Sequence, residues 1–281
     1  MFPIMTKKEL KQVLDTINQK DSLGLVPTMG ALHLGHASLI EKAVSENDYV
    51  VVSIFVNPTQ FNNADDLIKY PKTINEDLTL IKDISTKIIV FTPSIKEIYN
   101  ENIISKSYDF NGLDKVMEGE FRDNHFNGVG TIVEELFKLI KPTRAYFGEK
   151  DFQQLRIIQK LTQIQHIPVQ IIGCPIVRES NGLAMSSRNE RLDKTLRLKA
   201  GFIYKTLQTA KEIFGMKSAL ETKEWVVNTF QNQMELELEY FEITDVETLT
   251  PTKTILANTK YRAFIAVYAN DVRLIDNIAL N

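Results

Sequence analysis

The run Leu25-Val-Pro-Thr-Met-Gly-Ala-Leu-His-Leu-Gly-His36 decides the fold, because it leaves a strand and enters a helix within a dozen residues. Its apolar start reads as the end of a strand, and Pro27, which has no N–H to give to a ladder, is expected to end it. Gly30 and Gly35 let backbone or a ligand approach where a Cβ would intrude. Helical periodicity follows over Ala37 to Ser45. The same alternation recurs down the chain. Strand-length apolar runs at Leu23 to Val26, Val50 to Val56, Lys87 to Phe91, Arg144 to Phe147 and Val169 to Cys174 alternate with helical patterns. Those patterns are Ala37 to Ser45, Ile74 to Ile84, Thr131 to Ile140 and Phe152 to Gln165. The expected class is α/β, a doubly wound parallel sheet covered by helices on both faces, with ligands beyond the carboxyl ends of the strands.

After Pro175 the texture changes. Leu192 to Phe214 and Ala219 to Glu235 read as two helices, while Leu236 to Thr244, Tyr261 to Tyr268 and Val272 to Ile278 alternate as antiparallel strands do. We expect a first domain over 1–175 and a smaller α+β domain over 176–281. No internal repeat or low-complexity tract interrupts them. The 281 residues carry 33 Lys and Arg against 36 Asp and Glu, a formal charge of −3, which excludes a binder of nucleic acid driven by overall charge. Tyr49 to Val56, the longest apolar stretch, is too short to cross a bilayer, so no membrane role is expected. The lone Cys174 fits a reducing compartment, and MFPIMTKKELKQVL lacks the long apolar core of a secretory leader, so a cytoplasmic protein is expected.

Four segments at strand ends or just past the domain boundary carry polar chemistry. In the first, His33 and His36 are three apart, so once the helix has begun they share a face near its amino end. Unpaired N–H groups and the dipole favour phosphate there. The spacing matches neither the dinucleotide GxGxxG nor the GxxxxGK[ST] loop. No metal-ligand motif accompanies the histidines, so no metal site is expected. In the second, Phe147-Gly-Glu-Lys-Asp-Phe-Gln-Gln154, Glu149 and Asp151 suit a first helical turn, whereas Lys150 opposes the dipole unless an anion sits beside it. A solvated charged turn is the competing reading. In the third, Leu183-Ala-Met-Ser-Ser-Arg-Asn189, Ser186, Ser187 and Arg188 offer hydroxyls and a fixed cation for phosphate, and a helix cap is the alternative. In the fourth, Phe55-Val-Asn-Pro-Thr-Gln-Phe61, Asn57 and Gln60 are amides able to read a small polar substrate. An Asn-Pro turn with an incidental glutamine competes. Arg122 and His125 stand in a further turn-rich segment before a helix.

Taken in order, VPTMGALHLGH, SIFVNPTQF, KYPKT, FTPSIKEIY, HFNGVGTIV, YFGEKDFQQL, GLAMSSRN and RLIDN resemble the pantothenate synthetase family over almost the whole chain. That family belongs with nucleotidyltransferases bearing HIGH and KMSKS signatures, for which His33 to His36 and Met185 to Asn189 stand here. It often has Arg-Pro-Gly-His where this chain has Arg122-Asp-Asn-His125, which bears on the shape of that loop.

The resemblance implies a Rossmann-like first domain and ATP-dependent joining of pantoate to β-alanine through a pantoyl adenylate, with AMP and pyrophosphate released. It also implies Mg²⁺ accompanying ATP, and a homodimer. The ATP-binding residues it implies are Met29, Gly30, Ala31, Leu32, His33, Leu34, Gly35 and His36; Gly148, Glu149, Lys150 and Asp151; and Val177, Met185, Ser186, Ser187 and Arg188. The catalytic group it implies is His33, His36, Lys150, Ser186, Ser187 and Arg188, with His36 as proton donor. Gln60 and Gln154 are expected to hold pantoate, with Gln60 also meeting β-alanine, and Asn57 is expected beside them as a substrate-binding residue. Adenylyltransferases that share HxGH but act on a phosphate, and a non-catalytic nucleotide-binding module, are the rival readings.

Overall fold

A computed structural model describes residues 2–61 and 64–281 of the chain. Two compact units emerge. One takes in Met1–Asp114, Glu118–Glu149 and Gln154–Pro175, the other Lys115–Met117, Lys150–Gln153 and Ile176–Asn281.

In the first unit, among the described residues, β1 (Leu23–Thr28), β2 (Tyr49–Ile54), β3 (Ile89–Phe91), β4 (Arg144–Gly148) and β5 (Gln170–Cys174) form a parallel sheet in the order β3-β2-β1-β4-β5. The order reverses at β1, where the chain winds out through β2 and β3 and returns to start β4 on the other side. In such sheets the gap at the reversal is where ligands sit. The helices are α1 (Lys7–Leu14), α2 (Leu34–Glu46), α3 (Ala64–Lys69), α4 (Ile74–Ile84), α5 (Ile95–Tyr99), α6 (Glu118–Phe121), α7 (His125–Ile140) and α8 (Phe152–Ile164). Val26, Ile40, Val52, Ile81, Val90 and Tyr146 share one core in which α2 and α4 lie against the sheet. α1 begins with a capping box, the Thr6 hydroxyl accepting from the Glu9 N–H while the Glu9 carboxylate accepts from the Thr6 N–H.

Pro27 does not end its strand. β1 runs on to Thr28, with Pro27 opposite Ser53 of β2. The Thr28 carbonyl accepts from the Phe55 N–H on the β2 side, so by alternation Pro27 faces β4, where pairing is confined to Gly24 and Leu25. A proline there deprives no acceptor of its donor.

In the second unit β6 (Leu236–Asp245), β7 (Tyr261–Ala269) and β8 (Val272–Ala279) form an antiparallel sheet, with a bulge in β6 between Leu238 and Tyr240. Ile203, Leu207, Val226, Phe241, Ile265 and Val267 make its core. The expected single helix over Leu192 to Phe214 is two, α9 (Lys194–Lys199) and α10 (Phe202–Phe214), followed by α11 (Ala219–Gln231). Asp193 caps the start of α9, and the Asn181 amide donates to the carbonyls of Arg197 and Leu198 at its end, so local caps override a continuous apolar stripe.

Candidate active site

The turn between β1 and α2 consumes its own backbone donors. Gly30, at φ +82°, and Ala31, at φ +50°, are both left-handed. The Gly30 N–H donates to the Thr28 hydroxyl at 3.2 Å, and the N–H groups of Ala31 and Leu32 donate to the Asp77 carboxylate at 3.0 and 2.7 Å. His33 is the N-cap of α2: its Nδ1 accepts from the Gly35 N–H at 3.1 Å, and the His33 N–H donates to Nδ1 of His36 at 3.3 Å. The rings lie 4.1 Å apart between centroids. The N–H groups of Ala31, Leu32, His33 and Gly35 are therefore taken by side chains. What they gain in exchange is definite chemistry. Because each Nδ1 accepts, the proton of each neutral ring is on Nε2. The two rings thus present Nε2–H donors at the positive end of the helix.

Beyond β2, the turn Pro58–Gln60 carries the nearly buried Gln60. Its carbonyl accepts from Arg122 at 3.2 Å and lies 2.8 Å from Nδ1 of His125, which gives the Arg122-Asp-Asn-His125 loop a function as a brace for Gln60. Gly128 of α7 is needed for contact: a Cβ there would stand 2.2 Å from the Thr59 carbonyl oxygen. Asn57 is only 1% exposed. Its amide donates to the Gly128 carbonyl at 3.1 Å and its oxygen accepts from Tyr99 at 2.5 Å and Thr59 at 3.1 Å. Asn57, expected to read substrate, has both ends of its amide engaged inside the protein and holds the turn that carries Gln60. Gln154, on α8, is half-buried.

A cavity of about 300 Å³ opens at the carboxyl ends of β1, β2 and β3, lined by Met29, Gly30 and Ala31, the apolar Ile54, Phe55 and Val56, and the polar Lys72 and Asp77 among others. It is on the scale of a small metabolite. At the end of β4, Gly148 pairs with Cys174, and Glu149 follows. Burial pushes the Cys174 thiol up to about 11, which keeps it from acting as a nucleophile near neutrality.

Within the second unit, Lys150 and Asp151 are held from β8. The Asn277 amide donates to the Lys150 carbonyl at 2.8 Å, and Arg262 donates to the Asn277 oxygen while its guanidinium lies 4.0 Å over the Phe152 ring. Val177 and Met185 meet across a hairpin, the Met185 N–H donating to the Val177 carbonyl at 3.0 Å, with Arg178 bridged to Ala184. Arg178 also makes a two-pronged ion pair with the buried Asp276, at 2.6 and 3.0 Å. Ser186 caps a 3-10 turn over Ser187–Arg191, accepting from the Arg188 N–H at 3.3 Å, so the capping alternative holds for this hydroxyl. The accepted bond uses a lone pair and leaves the hydroxyl proton as a donor. The amide of the buried Asn189 donates to Glu179 and to the Ala184 carbonyl, which ties this turn to the hairpin.

Sequence reading missed Asp77, Asn277 and Arg262. Asp77 left a signal of its own, and Asn277 lies beside one. Asp77 falls on the apolar stripe Ile74, Leu78, Ile81 of α4, and Asp276, beside Asn277, takes an inward position after Val272 and Leu274 in β8. A charged side chain where the periodicity asks for an apolar one marks a partner.

The family model described as Pantoate-beta-alanine ligase matches residues 3–279. A pantothenate synthetase of Flavobacterium psychrophilum is 56% identical over 264 residues, covering 94% of each chain. One of Phocaeicola vulgatus is 49% identical over 278 residues, covering 98% of each. The crystal structure of pantothenate synthetase from Thermus thermophilus superposes with a TM-score of 0.90 at 36% identity, covering 100% of this chain and 99% of that one. A Francisella tularensis pantoate-beta-alanine ligase, solved with beta-gamma ATP and beta-alanine, gives a TM-score of 0.79 at 35% identity over 100% of this chain and 98% of that one. With a matching family model, close relatives and a shared fold, the chain belongs to the pantoate–β-alanine ligases, enzymes that join pantoate to β-alanine to make pantothenate.

Proposed function

We propose that ligation proceeds in two steps with ATP as co-substrate. A pantoate carboxylate oxygen attacks the α-phosphorus of ATP, the bond to the β-phosphate oxygen breaks, and pyrophosphate leaves a bound pantoyl adenylate. The amine of β-alanine then attacks the acyl carbon, loses its proton, and expels AMP with the bridging oxygen. No protein nucleophile is needed, so the work is positioning and stabilisation of charge on phosphoryl oxygens. The observation that carries this reading is the pair of fixed Nε2–H donors on His33 and His36 at the start of α2. His36 is assigned as the proton donor. Lys150, Ser186, Ser187 and Arg188 are assigned to the triphosphate and the leaving pyrophosphate, and Met29, Gly30, Gly148, Asp151 and Val177 to the rest of ATP. Gln60 and Gln154 hold pantoate, and Gln60 also meets β-alanine. The relative solved with an ATP derivative and beta-alanine supports both as substrates.

Mg²⁺ belongs with the nucleotide. Among the described residues no three His, Cys, Asp or Glu side chains group as a metal site. An ion that keeps several waters and leans on substrate phosphates fits such a surface without a protein cage. Among the described residues no helix is long and apolar enough to cross a membrane. The protein is proposed to act as a cytoplasmic homodimer, its dimeric state to be weighed by light scattering at two concentrations. The decisive assay is ATP plus pantoate, with and without β-alanine, scoring pyrophosphate, AMP and pantothenate separately. Exchange of labelled pyrophosphate into ATP without β-alanine supports the adenylate. Exchange that appears only when β-alanine is present sinks it.

A further inference from the structure

The turn that feeds α2 is an anion cradle filled by the protein itself. Successive backbone N–H groups in left-handed conformations converge on one point, and such concavities bind anions. Here Oδ2 of Asp77 accepts from Ala31 at 3.0 Å, and Oδ1 accepts from Leu32 at 2.7 Å and from the Thr73 hydroxyl at 3.1 Å. Asp77 is 2% exposed. Ala31 needs such a hold, because a residue with a Cβ is strained at positive φ. Gly30 permits it, since a Cβ there would meet Asp77 Oδ2 and Ile54, each at 3.1 Å. The next residue after Leu32 is His33, whose backbone N–H and ring nitrogen make the caps that fix both imidazole tautomers. We propose that Asp77 is a positioning residue for the histidine pair: its carboxylate clamps the left-handed turn so that the caps at His33 and His36 form and keep the proton of each ring on Nε2. The inference rests on the assignment of these histidines to the phosphates.

Burial pushes the Asp77 carboxyl up, against the bonds from Leu32, Thr73 and Ala31 that pull it down. A folded-state value above the unfolded one means that the ionised form is disfavoured on folding, so stability falls as pH rises through that range. Asp77→Asn keeps the side-chain shape and one acceptor oxygen and removes the charge that burial disfavours, and it is expected to remain folded.

The test uses the full chain, Asp77→Asn, and the milder Thr73→Val, which removes one bond to Oδ1. Long-range ¹H–¹⁵N spectra of the ligand-free protein report the ring nitrogens directly. Wild type should show Nε2–H tautomers at both histidines. Asp77→Asn should show mixed tautomers, and its rate of pantoate-dependent pyrophosphate exchange should fall about 10- to 100-fold, with KM for pantoate moving less than about threefold. Thr73→Val should show the same pattern, with a fall of about two- to fivefold. Wild-type tautomers in folded Asp77→Asn would overturn the proposal, even if the rate fell. Mixed tautomers with an unchanged rate would uphold the clamp and instead remove the histidines from catalysis.

Discussion

The turn bearing His33 and His36 and the segment bearing Lys150 both follow strand ends and both open helices, yet they are held by different means. The first rests on short-range contacts: its histidine bonds span two or three residues, and Asp77, 45 and 46 residues away, reaches in from outside. In the second, the backbone is gripped by Asn277, 127 residues away in sequence. Local cap chemistry fixes donors with little loop entropy, whereas a remote clamp makes a short stretch depend on the folding of a whole sheet. The first arrangement suits groups that must be exact to an ångström. The second suits a flexible cation such as lysine, whose stem takes up small errors.

Removing a local donor should therefore do the most damage. His36→Ala is expected to lower the rate of pantoate-dependent pyrophosphate exchange by about 10²-fold or more, because it deletes both a charge-stabilising donor and the cap on His33. A folded variant with near wild-type exchange would take His36 out of the chemistry. Gln60→Ala should come next, weakening pantoate by about 10-fold or more while ATP moves less than about threefold, as for a lost bond to a carboxylate. Calorimetric titration of each ligand checks it, and equal losses for both would count against the assignment. Asn277→Ala probes the remote clamp and should reduce kcat/KM for ATP by about five- to tenfold, with pantoate binding unchanged. If it matched His36→Ala, the contrast between exact and forgiving positioning would collapse.

The smallest functional effect belongs to Glu134, a buried carboxylate on α7 that anchors residues 106–108. Burial pushes it up, but bonds from Lys106, Lys138 and Tyr108 prevail and hold it down to about 2. A depressed carboxyl gives stability that is present above its unfolded value and is lost as pH falls through its folded one. The melting advantage of wild type over Glu134→Gln should thus be full above about pH 5 and shrink between about 4.5 and 2, with turnover at neutral pH unaltered. An advantage that stayed constant across that range would show that these bonds do not discriminate the ionised form.

Much of the fold was legible because period and punctuation agree. Ile74–Ile84 has the helical bounds its pattern predicts, and β1 through β5 appear where apolar runs meet turn residues. What escaped were effects of neighbours not visible along the chain. Pro27 stays in its strand because pairing with β4 has already ceased on its side. Leu192 to Phe214 is split by an amide from Asn181, and Asn57 turns inward because Gly128, Tyr99 and Thr59 take its amide. The histidines were singled out from sequence, but their tautomers were not, since these depend on which nitrogen meets a backbone N–H.

The protonated, buried Cys174 has a practical use. With a value of about 11, roughly one thiol in ten thousand is ionised at pH 7, and the residue is 2% exposed. It is also the only cysteine in the chain. A single cysteine introduced at an exposed position such as Leu34, 64% accessible and between the two histidines, would therefore take up a maleimide fluorophore with little background from the native thiol. The enzyme then becomes its own optical reporter, able to test in real time the proposed arrival of nucleotide at the start of α2.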